Sequence, residues 1–413
     1  KMKKNASHKT NDKKSLSIWS IGGSIFAMFF GAGNIVFPLA LGYHYNAHPW
    51  SAYFGMMLTA VCVPLLGLVS MLFYSGDYQK FFFSIGRIPG MIFITAIILL
   101  IGPFGGIPRA IAVSHATLIS LSEHKSAFIP SLPIFSAICC VLIYIFSCKL
   151  SRLIQWLGSV FFPIMLVTLL WVIIRSFMIP THPMVQEFIP NARQAWLAGF
   201  IEGFNTMDLL AAFFFCSIVL ISLRQLVAEE KHPTEEEIPL SFQGISKKNK
   251  RSLALGFFLA AILLGMTYLG FVLSAARHAG LLVNVSKGHI LGRISAIALG
   301  PNSILAGVSV FIACLTTEIA LVGIVADFLA RVVSFKKLNY ASAVICTLIP
   351  TYLISILNFE TISHLLLPLL QLSYPALIVL ACGNIAYKLW NFRYSPVLFY
   401  LTLSLTIVLK LVN

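Results

Sequence analysis

Residues 16–41 read LSIWSIGGSIFAMFFGAGNIVFPLAL, an apolar run that is long enough to cross a membrane as a helix. The run is interrupted by Gly31, Ala32, Gly33 and Asn34. Glycine lets the backbone unwind, and the asparagine side chain adds a donor and an acceptor at membrane depth. Polar backbone groups without partners are costly in lipid unless they line a cavity or bind a ligand. The stretch therefore predicts a discontinuous transmembrane helix that forms part of a binding site.

The composition of the whole chain is that of a membrane protein. Of its 413 residues, 58% are hydrophobic and 10% are charged, and the mean hydropathy is +0.90. We predict an all-α polytopic membrane protein with an N-terminal tail over residues 1–15 and a single transmembrane domain over residues 16–413. Eleven spans are predicted, at residues 16–42, 51–75, 89–121, 131–148, 153–179, 196–224, 252–276, 304–331, 339–357, 362–385 and 395–412.

The basic residues predict the orientation of the chain. The net charge is +15, and most lysines and arginines fall in alternate loops that share one side with the N-terminus. Because cytoplasmic loops carry an excess of basic residues, we expect the N-terminus in the cytoplasm. An odd number of spans then places the C-terminus outside. The same bias accounts for the basic charge without nucleic acid, and the chain has no basic soluble domain that would bind it.

Motifs of other protein classes are missing from the sequence. We find no His-Glu-x-x-His metal motif, no nucleophile–base pattern and no phosphate-binding Gly-x-x-x-x-Gly-Lys loop. The chain is therefore expected not to be an enzyme, and uphill transport would draw on an ion gradient. We expect no cofactor apart from a coupling ion. The expected partners are a small-molecule substrate and the lipid bilayer.

The predicted sixth span carries a second interruption. Glu202 and Asp208 flank a segment that contains Gly203, Asn205 and Thr206, after which an apolar helix resumes. Two broken spans that lie five apart in order are what an inverted repeat of five plus five spans would produce. The first repeat would cover about residues 16–179 and the second about residues 196–385, with residues 395–412 as an extra span.

Two hydroxyls lie on one face of the predicted eighth span. Ala313, Thr316 and Thr317 are spaced at i, i+3 and i+4. Hydroxyl and carbonyl oxygens are the hard ligands that an alkali cation accepts. The alternative is structural, because threonines in membrane helices often bond the carbonyl one turn back.

Four motifs occur in order along the chain: Phe29–Pro38 (FFGAGNIVFP), Ile101-Gly102-Pro103 with Ile107-Pro108-Arg109, Glu202-Gly203-Phe204-x-Thr206-Met207-Asp208, and Ala313-Cys314-Leu315-Thr316-Thr317. Together they resemble the bacterial branched-chain amino acid:cation symporters, the BrnQ or LIVCS family, over essentially the full chain. The resemblance implies a leucine-transporter-type fold in a bacterial inner membrane. It also implies sodium-driven uptake of leucine, isoleucine and valine.

By the same resemblance, particular residues would form the binding sites. One sodium would be held by Ala27, Phe30, Ala313, Thr316 and Thr317. The substrate would be held by Gly31, Ala32, Gly33, Asn34, Ile101, Phe204, Asn205, Thr206 and Met207. In that set the amides of residues 31–34 receive the carboxylate, and the carbonyls of residues 204–206 accept the α-ammonium. The side chains of Ile101, Phe204 and Met207 enclose the aliphatic group.

Four ionisable residues inside spans are candidates for gating or coupling. Arg109 is expected to neutralise Asp208 or Glu318, with direct recognition of the carboxylate as the alternative. Glu318 stands where the family has a small residue, and it could instead couple to a proton. Asp327 forms an inner-gate pair or is a simple interfacial charge.

Other functions are left open by these residues. Within transport, the alternatives are a proton-coupled carrier that uses Glu318 or Asp208, and a carrier for another small neutral amino acid. A membrane-embedded enzyme or sensor is the alternative from a different class, but no motif supports it. The looser Gly105-Gly106 stretch in the third span also departs from the family pattern.

Overall fold

The computed structural model describes residues 18–121, 129–147, 162–184, 190–228, 247–334 and 337–412. Within these ranges the chain forms helices and no strand, as the all-α prediction requires. The predicted tail over residues 1–15, the start of the fifth span and most of the loop at 225–251 lie outside the described residues.

The α-helices are numbered here in chain order. They are α1 Ile18–Phe29, α2 Ala32–His44, α3 Pro49–Met57, α4 Val63–Phe73, α5 Tyr78–Phe82, α6 Arg87–Ile101, α7 Gly106–Leu121, α8 Leu132–Ser147, α9 Phe162–Met178, α10 Ala192–Asn205, α11 Asp208–Ala228, α12 Lys247–Arg277, α13 Ile290–Leu299, α14 Ser303–Phe328, α15 Tyr340–Ser355, α16 Phe359–Trp390 and α17 Ser395–Val412.

Each predicted span that the structure describes falls on a helix or on a pair of helices. Five stretches are long and apolar enough to cross a membrane: Pro49–Phe73, Arg87–Leu121, Arg251–Arg277, Lys287–Val333 and Phe359–Trp390. Two bent helix pairs raise that number to seven, and four apolar helices are shorter, at 10–17 residues. The count of eleven spans and the five-plus-five repeat stay predictions.

The two predicted interruptions are present. Helices α1 and α2 meet at an angle of 70°, and α10 meets α11 at 40°. The first break lies at Phe30 and Gly31, at the start of the predicted interruption, and Ala32, Gly33 and Asn34 form the first turn of α2. The second lies slightly later than predicted, because α10 continues through Asn205 and the chain turns at Thr206 and Met207. Met207 has a φ of +65°, a left-handed conformation that ends one helix before the next begins.

The third predicted span is also broken, which the sequence analysis did not predict. Helix α6 ends at Ile101, and α7 begins at Gly106 after a turn that contains Pro103. Proline has no N–H to donate to the preceding turn, and its ring clashes with a continuing helix. The loose stretch noted at Gly105 and Gly106 is therefore the end of this turn.

Glycines bring α3 and α10 into close contact. A Cβ on Gly55 would stand 2.0 Å from the carbonyl oxygen of Trp196, and a Cβ on Gly199 would stand 2.0 Å from that of Ala52. Small residues at helix contacts let two backbones approach in a membrane. This contact fixes the first half of the broken sixth span against the second span.

Candidate functional site

A buried polar cluster joins the two broken helices. Asn34, in the first turn of α2, donates through Nδ2 to Asp208 Oδ2 at 2.6 Å and also to the hydroxyl of Tyr268 on α12. The Tyr268 hydroxyl donates to the same Asp208 oxygen at 3.3 Å. All three side chains are at most 3% exposed. The cluster holds the start of α2 against the start of α11.

A cavity of about 40 Å³ lies between the two breaks. Its lining residues are Met28, Phe29, Gly31, Ala32, Gly33, Asn34, Ile101, Gly106, Arg109, Ala110, Thr206, Met207, Asp208, Ala211, Phe215, Thr317 and Leu321. The structure therefore brings the predicted residues 31–34 together with Ile101, Thr206 and Met207. A space of this size holds a few water molecules.

Two predicted substrate residues lie elsewhere. Phe204 is buried beside Tyr374, with ring centroids 4.8 Å apart, and is not among the lining residues of the cavity. Asn205 donates to Glu202 Oε2 at 2.5 Å and lines a second cavity. The chain turns after Asn205, so only the last residues of the 203–207 segment face the space between the breaks.

Several lining residues are not identified by the sequence analysis. They are Met28, Phe29, Gly106, Ala110, Ala211, Phe215 and Leu321. Most are apolar residues in apolar runs, so nothing in the sequence distinguishes them from lipid-facing neighbours. Tyr268 is also missed, although a tyrosine hydroxyl inside a long apolar span usually needs a partner.

The start of α2 has the properties of an anion site, but one of its amides is occupied. The Gly31 N–H donates to Asn34 Oδ1 at 3.1 Å. The remaining first-turn amides of α2 have no carbonyl one turn back, because the helix begins there. These amides and the helix dipole favour a negative group at this end.

The predicted cation face is present on α14. Thr316 donates its hydroxyl to the Ala313 carbonyl at 2.8 Å, and Thr317 donates to the same carbonyl at 3.2 Å. These are the one-turn-back bonds of the structural alternative, yet they leave the hydroxyl lone pairs available. Thr317 also lines the central cavity. A Cβ on Gly31 would lie 3.3 Å from Thr317 Cγ2, so α14 contacts the first break.

The two remaining predicted cation ligands lie at the end of α1. Ala27 and Phe30 are 2% and 0% exposed. The Phe26 carbonyl accepts from the Phe30 N–H at 2.7 Å as the helix ends. Carbonyls in the last turn of a helix have no intrahelical donor, so this end presents oxygen ligands. The Ala313 carbonyl on α14, by contrast, already accepts from the hydroxyls of Thr316 and Thr317.

Arg109 does not form the predicted ion pair. It is 3% exposed and lines the central cavity, but among the described residues no carboxylate oxygen lies within 4.0 Å of its guanidinium. Its guanidinium carbon, Cζ, lies 5.2 Å from the centroid of the Phe37 ring, and its Nε has no hydrogen-bond partner in the described part of the chain. The expectation of a fixed pair with Asp208 or Glu318 is therefore wrong for this conformation.

The other two ionisable candidates differ in environment. Glu318 is 1% exposed, and its Oε1 has no hydrogen-bond partner among the residues that the structure describes. Asp327 is paired through Oδ1 with Arg331 Nε at 2.6 Å, one turn further along the chain, and both side chains are exposed. This local pair matches the interfacial alternative for Asp327.

A second, larger cavity of about 700 Å³ lies beyond the turn of the sixth span. It is lined by Phe37, His44, Tyr45, Pro190, Gln194, Ala198, Ile201, Glu202, Asn205, Lys287, Phe359, Glu360, Ser363, His364 and Leu367. Lys287 Nζ bonds Glu202 Oε1 at 3.0 Å on this lining. Asn205 lines this cavity and the next residue, Thr206, lines the central cavity, so the turn of the sixth span lies between the two spaces.

Comparison with known proteins identifies relatives along the full length. The family described as Branched-chain amino acid transport protein matches residues 14–413. The chain is 29% identical over 366 residues to the branched-chain amino acid permease BrnQ of Bacillus subtilis, with 87% of this chain and 79% of the relative covered. It is 27% identical over 383 residues to the BrnQ permease of Salmonella typhimurium, with 92% and 83% covered.

Two solved transporters are similar in structure. A nucleobase-cation-symport-1 family transporter, Mhp1, in a closed conformation with bromovinylhydantoin bound, aligns with a TM-score of 0.58 at 16% identity and covers 92% of this chain and 80% of its own. MhsT in complex with L-phenylalanine aligns with a TM-score of 0.52 at 14% identity, with 95% and 98% covered. The chain therefore has the leucine-transporter-type fold.

Proposed function

This chain belongs to the family of branched-chain amino acid transport proteins, and we propose that it imports leucine, isoleucine and valine together with sodium by alternating access. The two relatives described above are named permeases, not enzymes. The observation that carries the proposal is the cavity between the two helix breaks, which is lined both by the start of α2 and by Thr317. These groups would hold a substrate and a cation side by side once the helices around the cavity, which has about 40 Å³ in this conformation, move apart.

The polar part of the substrate would bind at the start of α2. Free amides of residues 32–34 and the positive end of the helix dipole suit a carboxylate. The α-ammonium needs acceptors on the opposite wall, where the chain turns at Thr206 and Met207. The carbonyls of residues 204–206 are proposed for that role, because they lie in the last turn of α10, where helical donors run out. Of these, the Phe204 carbonyl also accepts from the Met207 N–H at 3.1 Å.

The apolar part of the substrate would bind among aliphatic and aromatic side chains. Ile101 and Met207 line the cavity together with Met28, Phe29 and Phe215. Such a wall favours an aliphatic side chain over a polar one. It separates isoleucine from valine only weakly, because one methylene contributes about 1–3 kcal/mol.

Sodium is proposed to bind between α1 and α14. The ligands would be the carbonyl oxygens of Ala27, Phe30 and Ala313 and the hydroxyls of Thr316 and Thr317. All are oxygens, as an alkali cation prefers, and the last residue also lines the substrate cavity. Each ligand would then stabilise the form of the protein that the other binds, which is the origin of coupling.

The larger cavity is proposed as the outer entrance. With the N-terminus in the cytoplasm of a bacterial cell, Lys287 and the C-terminal end of α2 would face outside. Rocking of one helix group against another would then close this entrance and open the inner side. Eleven spans and a five-plus-five repeat belong to the same proposal.

The proposal is tested with purified protein in liposomes. Uptake of labelled leucine is measured under an inward sodium gradient, under an inward proton gradient in sodium-free buffer, and with neither. We expect accumulation above equilibrium only with the sodium gradient, and competition by isoleucine and valine. Absence of leucine uptake in all three conditions would refute amino acid transport.

Proton coupling is the second candidate, because Glu318 is a buried carboxyl with an unpartnered oxygen. A carboxyl in that environment can bind and release a proton as its surroundings change. Accumulation driven by the proton gradient alone, and lost in a Glu318→Gln variant, would support this candidate over sodium coupling. The same assay, repeated with labelled alanine and serine, tests the carrier of another small neutral amino acid.

A further inference from the structure

Arg109 is a buried charge without an ion-pair partner in the described part of the chain. It is 3% exposed, and no described carboxylate lies within 4.0 Å of its guanidinium. The Nε atom has no hydrogen-bond acceptor among the described residues. Intramembrane charges are costly and are usually paired. The missing counter-charge is therefore expected from a bound molecule.

The guanidinium lies directly against the start of α2. A Cβ on Gly33 would stand 3.1 Å from the guanidinium nitrogen Nη2 of Arg109, so this nitrogen reaches the first turn of the helix. Arg109 and residues 31–34 line the same cavity. Two independent features, a helix N-terminus and an unpartnered arginine, thus favour an anion at one point.

The neighbours of Arg109 leave the side of its guanidinium that faces the cavity open to a ligand. The Phe37 ring covers the guanidinium at 5.2 Å, a cation–π contact that carries no full negative charge. The carboxylate that lines the same cavity, Asp208, is held at Oδ2 by Asn34 and Tyr268. An anion between Arg109 and α2 would therefore meet one positive group, and a neighbouring ammonium would meet Asp208.

We propose that Arg109 binds the carboxylate of the amino acid substrate through its guanidinium, next to the first-turn amides of α2. The inference rests on the proposed function, because it names a residue that recognises the amino acid in that site. It favours free α-carboxylates as substrates, so amides and esters of the same amino acids should bind more weakly. Arginine suits this role because its planar fork matches the two oxygens of a carboxylate.

The test pairs a change in the protein with a change in the ligand. Binding of leucine and of leucinamide, which lacks the carboxylate, is measured by calorimetry on purified wild-type protein, Arg109→Gln and Arg109→Lys in sodium buffer. Arg277→Gln is the matched control, because Arg277 also lies near an aromatic ring, at 5.5 Å from Phe177, but is not among the lining residues of the cavity.

We expect Arg109→Gln to lower the affinity for leucine about 10- to 100-fold, as the loss of a charge-assisted hydrogen bond does. The affinity of the same variant for leucinamide should stay within about 2-fold of the wild-type value. Arg109→Lys keeps the charge without the fork, so it should lose less affinity for leucine than Arg109→Gln. Arg277→Gln should leave the affinity for both ligands unchanged. If Arg109→Gln does not fold, the selective loss of leucine in Arg109→Lys carries the test.

The possible failures distinguish the role of Arg109 from the proposed function. Equal affinities of the Arg109 variants and wild type, or equal losses for leucine and leucinamide, would overturn the role of Arg109 while leaving the proposed function intact. Failure of the wild-type protein to bind leucine would instead overturn the proposed function itself.

Discussion

Asn34 uses both ends of its side chain within the protein. Its Oδ1 accepts from the Gly31 N–H, and its Nδ2 donates to Asp208 and Tyr268. The sequence could predict that a polar group at this depth needs partners. It could not name them, because Asp208 and Tyr268 are 174 and 234 residues away in the chain. Asn34 therefore connects the two breaks and does not present a free side chain to the cavity.

Tyr268→Phe should destabilise the protein more than an ordinary buried hydroxyl deletion. The change leaves Asn34 and Asp208 without a shared partner in a buried cluster, at a cost of about 1–3 kcal/mol. The measurement is thermal unfolding in detergent, followed by intrinsic fluorescence.

Tyr53→Phe is the control for that prediction. Its hydroxyl makes one bond, to the Gly265 carbonyl on the same helix α12 at 3.2 Å. Its loss should cost about 0.6 kcal/mol, the average for such bonds in membranes. Equal shifts in melting temperature for the two variants would show that the cluster adds nothing beyond a single bond.

Thr317→Ala tests the cation face. The change removes a proposed oxygen ligand that lines the cavity, and we expect the sodium concentration for half-maximal leucine uptake to rise at least about 5-fold, the lower end of typical coupling factors. Thr347→Ala is the matched control, because that hydroxyl makes the same one-turn-back bond at 2.9 Å and is not among the lining residues of the cavity. The same sodium dependence in both variants would remove Thr317 from the ion site.

At the scale of helices, the three breaks differ in how visible they are in the sequence. The first is predicted at Gly31, because two glycines and an asparagine lie together in an apolar run, although residues 32–34 are already helical. The second is displaced to Thr206 and Met207, because Met207 adopts a left-handed φ that composition does not reveal. The third, at Pro103, is missed, because the apolar run around it is long enough to be read as one tilted helix.

Gly33→Ala should impair the contact between the two broken spans. An added Cβ would stand 3.1 Å from both Arg109 Nη2 and the Cα of Thr206, and backbone cannot move aside as a flexible side chain can. We expect initial leucine uptake to fall more than about 10-fold, as small misplacements at a site can cause. The assay is uptake into liposomes at matched protein density.

Gly288→Ala is the control for this change. Its added Cβ would meet its nearest neighbours at 3.4 and 3.5 Å, which is ordinary contact distance. Uptake by this variant should stay close to that of wild type. If Gly33→Ala transports as well as Gly288→Ala, the contact between α2 and the turn at Thr206 is not needed for transport.

For the whole molecule, the fold class and two of the three helix breaks could be predicted from the sequence, while the wall around the cavity had to come from the structure. Helices α6, α7, α11 and α14 each contribute lining residues. Which face of an apolar helix turns inward depends on packing among helices that are distant in the chain. Periodicity alone does not distinguish that face from the lipid-facing one, because both are apolar.

The orientation of the molecule is tested by labelling from one side. In a background without native cysteines, Val283→Cys and Lys80→Cys both place a thiol at an exposed position outside the long apolar helices. We expect a membrane-impermeant maleimide to label Val283→Cys in intact cells and Lys80→Cys only after the membrane is opened. The reverse pattern would invert the predicted topology.

Sodium and amino acid are proposed to share one site between the broken helices and to stabilise each other there. The most direct test is the dissociation constant of leucine for the purified protein in sodium chloride and in choline chloride of equal ionic strength. We predict affinity at least about 5-fold higher in sodium, an effect that Thr317→Ala removes. The same dissociation constant in both salts would contradict the account.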